Sequence, residues 1–407
     1  MNKFKSDLSV RRFYLAIGVI AMLFAGVLYA WSIIKAPLST EFGWSPSELA
    51  LNYTLAMSFF CIGGLLGARL SKLAGSRIAL IIAGVLSSLG FILTSALRDG
   101  SVAMLYISYG VLAGMGIGIA YNVLIATVSA WFPDKKGLCS GCMMMGFGAS
   151  ALILGNAADM LFKSTLGWRT TYVILGITLC VVLVLAGLLL TKPGEETVLP
   201  QPKAANISQR ETFDKQDFTA MQMLRRPSFW MAFISISFLA AVGSTVISFA
   251  KDLALSVNAP EALAVSLVGV LSVCNGLGRI LTGTLFDVVG RRKTMLCANA
   301  LTICATVVTL LAVSIGSLPL CIAGLCLTGL SFGSCPTITA AFTSSFFGMK
   351  YFSTNMAIMT FTVMGGSLIA TVSNRILEIT GGYTGPFILL LVLTIIAMVL
   401  NVFIRRP

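Results

Sequence analysis

The sequence predicts an all-α integral membrane protein, with twelve transmembrane helices in two six-helix bundles and both termini cytoplasmic. Three observations carry this: an extreme apolar composition, twelve apolar runs of membrane-crossing length, and basic loops concentrated on one side. Of 407 residues, 57% are hydrophobic and only 11% are charged. That suits a polytopic membrane protein rather than a water-soluble globule.

The apolar runs cover roughly 13–36, 48–68, 77–96, 102–131, 137–161, 170–191, 229–250, 262–286, 294–314, 317–343, 353–377 and 384–404. Each is about 20 residues or more, enough to cross the hydrocarbon layer as a helix. The first follows a short basic segment, Met1 to Arg12, without a small-residue cleavage site, and reads as a span rather than a removed signal. Thr191 to Ser228 is the one long polar stretch, with Pro193, Gly194, Pro200 and Pro202 among mixed charges. It predicts a bundle over 1–191, a cytoplasmic loop over 192–228 and a second bundle over 229–407.

Loop charge orients the chain. Twenty-one Lys and Arg fall on one side, including Arg11, Arg12, Lys135, Lys136 and Lys293. Six fall on the other: Lys35, Arg98, Lys163, Arg169, Lys251 and Arg375. The basic side is expected to be cytoplasmic. The net charge of +13 therefore sets membrane orientation, and the lipid bilayer is the expected partner rather than nucleic acid. The ten cysteines lie in or beside apolar runs and do not form a disulfide framework. Histidine is absent, which removes imidazole as a metal ligand or proton relay. No cofactor or enzymatic activity is expected, because no soluble stretch is long enough for a catalytic domain. Short loops and tails suggest a bacterial inner membrane.

A repeat supports the division into halves. Gly114-Met-Gly-Ile-Gly118 in the fourth run aligns with Gly329-Leu-Ser-Phe-Gly333 in the tenth, an offset of 215 that also places Phe132 on Phe347 and Lys135 on Lys350. Repeated halves are a feature of transporter folds.

Arg279 lies inside the eighth run, eight residues before Asp287. That is about 12 Å of helix rise, near mid-depth in a layer of about 30 Å. A guanidinium there costs at least ~2.5 kcal/mol unless it faces water or a partner. A fixed cation in a membrane cavity points to an anionic ligand. Asn275, one turn earlier, shares its face.

The loop after the eighth run reads Gly283-Thr-Leu-Phe-Asp287-Val-Val-Gly290-Arg291-Arg292-Lys293. Asp287 and Arg291 are spaced to pair where the helix ends, and the glycines allow close approach and a tight turn. This resembles the cytoplasmic loop motif of the major facilitator superfamily. The equivalent loop after the second run is degenerate, with Ser71 in place of the acidic residue.

A narrower resemblance, to the oxalate/formate antiporter family, rests on Tyr29-Ala-Trp31-Ser32, on Gly114 to Gly118 with Tyr121, on Trp131 to Gly137, on Asn275 to Arg279, and on Lys350 to Asn355. It implies a secondary transporter of small carboxylate anions, working as a monomer by alternating access. Arg279 would bind carboxylate with Asn275 beside it, Tyr29, Tyr121 and Phe332 would line the cavity, and Gly283, Asp287, Gly290, Arg291 and Arg292 would form the gating loop. The oxalate transporters of that family carry a second cation in span 11, and its position falls on Val363 here. The related monocarboxylate transporters carry a proton-binding aspartate where this chain has Asn275. One cation suits a monocarboxylate of the formate, lactate or pyruvate type.

The chain has fifteen acidic residues and none is expected at mid-depth, Asp159 coming nearest. Anion exchange needs no titratable group in the membrane, so exchange is the expectation, with proton-linked symport or oxalate/formate exchange as alternatives. Lys35, near the outer end of the first run, is expected either to steer anions inward or to extend to the headgroups.

Overall fold

A computed structural model describes residues 8–98, 100–133, 136–191, 193–194, 199, 217–348 and 350–404. Among the described residues, twelve helices are long and apolar enough to cross a membrane: spans 1 to 12 are Ser9–Ile34, Pro46–Leu73, Gly75–Ser95, Val102–Ser129, Gly141–Phe162, Gly167–Leu189, Pro227–Ser256, Glu261–Phe286, Arg292–Ile315, Leu318–Phe347, Thr354–Thr380 and Thr384–Phe403. All twelve predicted runs are present. Span 7 runs past its predicted end at 250 and carries Lys251 and Asp252 inside the helix. These charges prolong the helix because each finds a partner of opposite sign, described below.

Local chemistry explains several ends. Span 2 begins with Ser45 capping the Glu48 amide while Glu48 caps Ser45 in return, which satisfies two free N–H groups. Span 8 ends at Gly290, whose φ of 77° lets the chain turn sharply into span 9. Spans 6 and 12 present apolar side chains outward, among them Val181, Leu185, Val392 and Val399, as lipid contact demands.

The glycine repeat does the same work in both halves. A Cβ on Gly114 would lie 2.6 Å from the Ala56 carbonyl oxygen, and one on Gly118 would lie 2.1 Å from that of Phe60. A Cβ on Gly329 would meet the Leu271 oxygen at 2.3 Å, and one on Gly333 the Asn275 oxygen at 2.0 Å. The partners obey the same offset of 215 as the glycines. Span 4 thus packs on span 2 as span 10 packs on span 8, backbone against backbone. Such approach supplies the dispersion contact that holds helices together in lipid.

Several spans break their regular winding: span 4 is a π-helix over Tyr106–Ala113, span 7 kinks at Phe249, and spans 1, 10 and 11 depart from it as well. Span 1 tightens to a 3₁₀ turn over Gly26–Ala30. Span 10 carries Pro336 within its helix, which removes one backbone hydrogen bond. Span 11 is interrupted between Met359 and Thr362.

Most of the expected loop 192–228 lies outside the described residues. Its last part folds back on the chain. The Phe218 amide donates to the Phe347 carbonyl at 3.1 Å, and Asn355 Nδ2 donates to the Phe218 carbonyl at 2.9 Å. Asn355, part of the family resemblance, thereby anchors the entry to span 7.

Candidate functional site

Spans 1, 2, 4, 5, 8, 10 and 11 surround a cavity of about 960 Å³. Its lining reaches Ile125, Phe286, Ser344 and Phe352, all near helix ends that carry the basic loops. The cavity therefore opens toward the basic side. Among the described lining residues, Arg279 alone is charged.

Arg279 lies four residues past the midpoint of its helix, Glu261–Val289, about 6 Å along the axis. Gly333 sets its position, because a Cβ there would come within 3.0 Å of the Arg279 amide nitrogen. Arg279 is 8% exposed and no carboxylate pairs with it among the described residues. Nη1 donates to the Tyr121 hydroxyl at 3.2 Å and Nη2 to the Tyr29 hydroxyl at 3.5 Å. Nε has no partner. Both bonds cross from the last six spans to the first six, and both are long for a charged donor.

The 3₁₀ turn of span 1 holds Tyr29. Its ring meets Phe147 edge-on at 5.0 Å and stands 6.2 Å from Phe332. Tyr121 packs against Phe60 and Phe147 at 5.1 and 5.2 Å. Arg279, Tyr29, Tyr121 and Phe332 thus come together as sequence reasoning expects. Asn275 differs. It is 1% exposed and absent from the cavity wall. Its amide stands beside the Tyr29 hydroxyl without a hydrogen bond of ordinary geometry. Its backbone, against which Gly333 packs, turns the side chain toward span 1.

The opposite side is sealed by polar contacts between the first and last six spans. Lys35 Nζ meets Asp252 at 2.8 Å, Lys251 meets Asp159 at 3.3 Å, and Lys163 meets Glu261 at 3.1 Å. Asp159 also holds Lys163 at 2.8 Å, and Glu261 holds Lys251 at 3.3 Å. Glu378 accepts from the Ser47 amide at 3.2 Å. Thr54 hydrogen-bonds the Ser367 carbonyl and the Thr371 hydroxyl. Lys35 is 5% exposed, so it neither extends to the headgroups nor lies open to passing anions; it closes the rim. Its partner lies 217 residues away along the chain, a distance that no local pattern reports.

The loop motifs serve as fasteners. Trp131 Nε1 donates to the Thr191 carbonyl at 2.6 Å, and Arg11 Nε donates to the Trp131 carbonyl at 2.9 Å. Gly283 lines the cavity mouth and Arg292 is exposed at the start of span 9. The side chains of Asp287 and Arg291, and of Asp134 to Gly137, lie outside the described residues, so the expected Asp287–Arg291 pair falls there too. The Ser71 hydroxyl has no hydrogen-bond partner among the described residues.

Comparison with known proteins agrees with this architecture. The chain is 26% identical over 405 residues to the oxalate:formate antiporter of Oxalobacter formigenes, covering 97% of this chain and 91% of that one. It is 26% identical over 407 residues to monocarboxylate transporter 12 of Mus musculus, covering 92% and 81%. Among solved structures, the nucleoside transporter NupG superposes with a TM-score of 0.70 over 97% of this chain and 98% of that one, at 13% identity, which speaks to the fold alone. The sequence profile of the Major Facilitator Superfamily matches residues 14–371, with a second, overlapping match over 234–407. The chain belongs to the major facilitator superfamily, as a multi-pass secondary transporter.

Proposed function

We propose that this transporter carries small monocarboxylates, of the formate, lactate or pyruvate type, by exchanging one anion for another. The observation that carries the reading is Arg279, a buried arginine in a membrane cavity whose guanidinium is held, among the described residues, by two neutral hydroxyls. An uncompensated buried cation is costly, and one carboxylate would neutralise it through two parallel N–H···O bonds. Tyr29 and Tyr121, which now accept from the guanidinium, would turn their hydroxyls to donate to the incoming oxygens. Because they lie on the first six spans and Arg279 on the last six, a bound carboxylate would bridge the halves.

Val363 supports one carboxylate rather than two. It lines the cavity on span 11, where the resemblance places the second cation of the oxalate transporters. Two relatives, named as an oxalate:formate antiporter and a monocarboxylate transporter, fit the same class of cargo. In this reading 1–191 and 229–407 are two bodies joined by 192–228. They rock about the site, within a single copy of the chain in a bacterial inner membrane. Gly283, Asp287, Gly290, Arg291 and Arg292 form the gate on the basic side, and the ion pairs of the opposite rim form the other.

Counterflow in proteoliposomes tests this. Vesicles loaded with formate, lactate, pyruvate or oxalate receive labelled external acid, with and without a pH gradient. Uptake is expected to require an internal monocarboxylate and to ignore the gradient. Uptake into empty vesicles that follows the gradient would establish proton-linked symport instead, and oxalate exchange matching that of the monocarboxylates would defeat the single-cation argument.

A further inference from the structure

We propose that Gly64 sets the length of acid this transporter accepts, by forming the wall that receives the end of the substrate opposite its carboxylate. The inference rests on Arg279 binding that carboxylate, and adds where the rest of the molecule lies.

The offset of 215 that relates the glycine repeats also relates cavity residues. Gly64 maps to Arg279, Leu65 to Ile280 and Asn122 to Thr337, and all six line the cavity. Halves repeated in this way are related by an axis along the membrane normal. Mates therefore face one another across the cavity at matching depth. The position facing the only charged residue among the described lining thus bears no side chain.

Packing does not require that glycine. A Cβ on Gly63 would lie 2.3 Å from the Met115 oxygen, and one on Gly67 would lie 3.0 Å from the Ile119 backbone. Those two glycines seat span 2 on span 4. A Cβ on Gly64 would meet only Asn122 Nδ2 at 3.3 Å and the Gly118 oxygen at 3.9 Å, and the first is the movable end of a side chain. Alanine would fit, and it favours a helix interior more than glycine does. The space is therefore left for cargo. An acid held at Arg279 points its tail across the cavity into it, and any side chain at position 64 shortens the path.

The test is competition against exchange of a labelled small acid in proteoliposomes, using unlabelled straight-chain monocarboxylates from formate to hexanoate. Wild type is compared with Gly64→Ala and Gly64→Leu. Formate should compete within about twofold of its wild-type strength in both variants, while hexanoate should weaken about tenfold in Gly64→Leu, as loss of methylene-sized space does, and by less in Gly64→Ala. If Gly64→Leu exchanges nothing, Gly64→Ala decides by the same ratio. An unchanged length profile, or an equal loss for all lengths, overturns the assignment of Gly64 alone. Wild-type vesicles that exchange no carboxylate would overturn the reading of Arg279 and this one with it.

Discussion

Replacing Asp252 with Asn should open the sealed rim. The Lys35–Asp252 pair is made entirely between halves, Lys35 at the end of span 1 and Asp252 within span 7, at 2.8 Å. The lysine side chain is 6% exposed and the aspartate 42%. Breaking a fully buried pair by removing one partner costs about 3–5 kcal/mol, and an exposed pair is worth about 0–1. A pair wet on one side lies between them, at about 2 kcal/mol. Only the closed rim pays this cost, because Lys35 is hydrated once the rim parts. At about 1.4 kcal/mol per tenfold change, the ratio of open to closed rims should rise about 30-fold. Spin labels at Thr40 and Ser256, both exposed and on opposite halves, would report it as a longer distance component in Asp252→Asn. An unchanged distance distribution would refute the idea that this pair holds the rim shut.

Three further outcomes follow from the same geometry. Arg279→Lys should lose most exchange and Arg279→Ala all of it, with insertion into the membrane retained, because a point charge does not reproduce a planar fork; initial rates of counterflow check this. Gly333→Ala should lower stability by about 1–3 kcal/mol, since its Cβ would sit 2.0 Å from the Asn275 oxygen, whereas Gly382→Ala has nothing within 4 Å and should not; thermal unfolding in detergent compares them. Glu41, outside the spans, has its carboxyl held below the ordinary value of 4.5, first by the Trp168 indole N–H and then by Arg169. Its contribution is present above that value and fades as pH falls through the lowered one, so Glu41→Gln should flatten the acid limb of a stability–pH curve.

Much of the fold was legible because bilayer thickness imposes a length on every span. The glycine repeat was legible as spacing, and the structure gives the cause in four close backbone approaches at one offset. Arg279 stood out because a cation is expensive at that depth. Tyr29, Tyr121 and Phe332 came by resemblance, since nothing in an aromatic residue's own sequence context says that it faces a cavity. Asn275 shares a helical face with Arg279 but does not line the cavity, because sharing a face does not say which part of it span 10 covers. The rim was illegible, because Lys35 and Asp252, or Lys251 and Asp159, meet only through the packing of whole helices. Gly64 was overlooked as one glycine among several, until its neighbours proved to be packed and it did not.

The most direct test of the central claim is a structure determined with whichever acid exchanges fastest. One carboxylate should lie about 2.7–2.9 Å from the guanidinium of Arg279, with the Tyr29 and Tyr121 hydroxyls now bonded to its oxygens. A carboxylate bound elsewhere, with Arg279 still bonded to the two tyrosines, would contradict it.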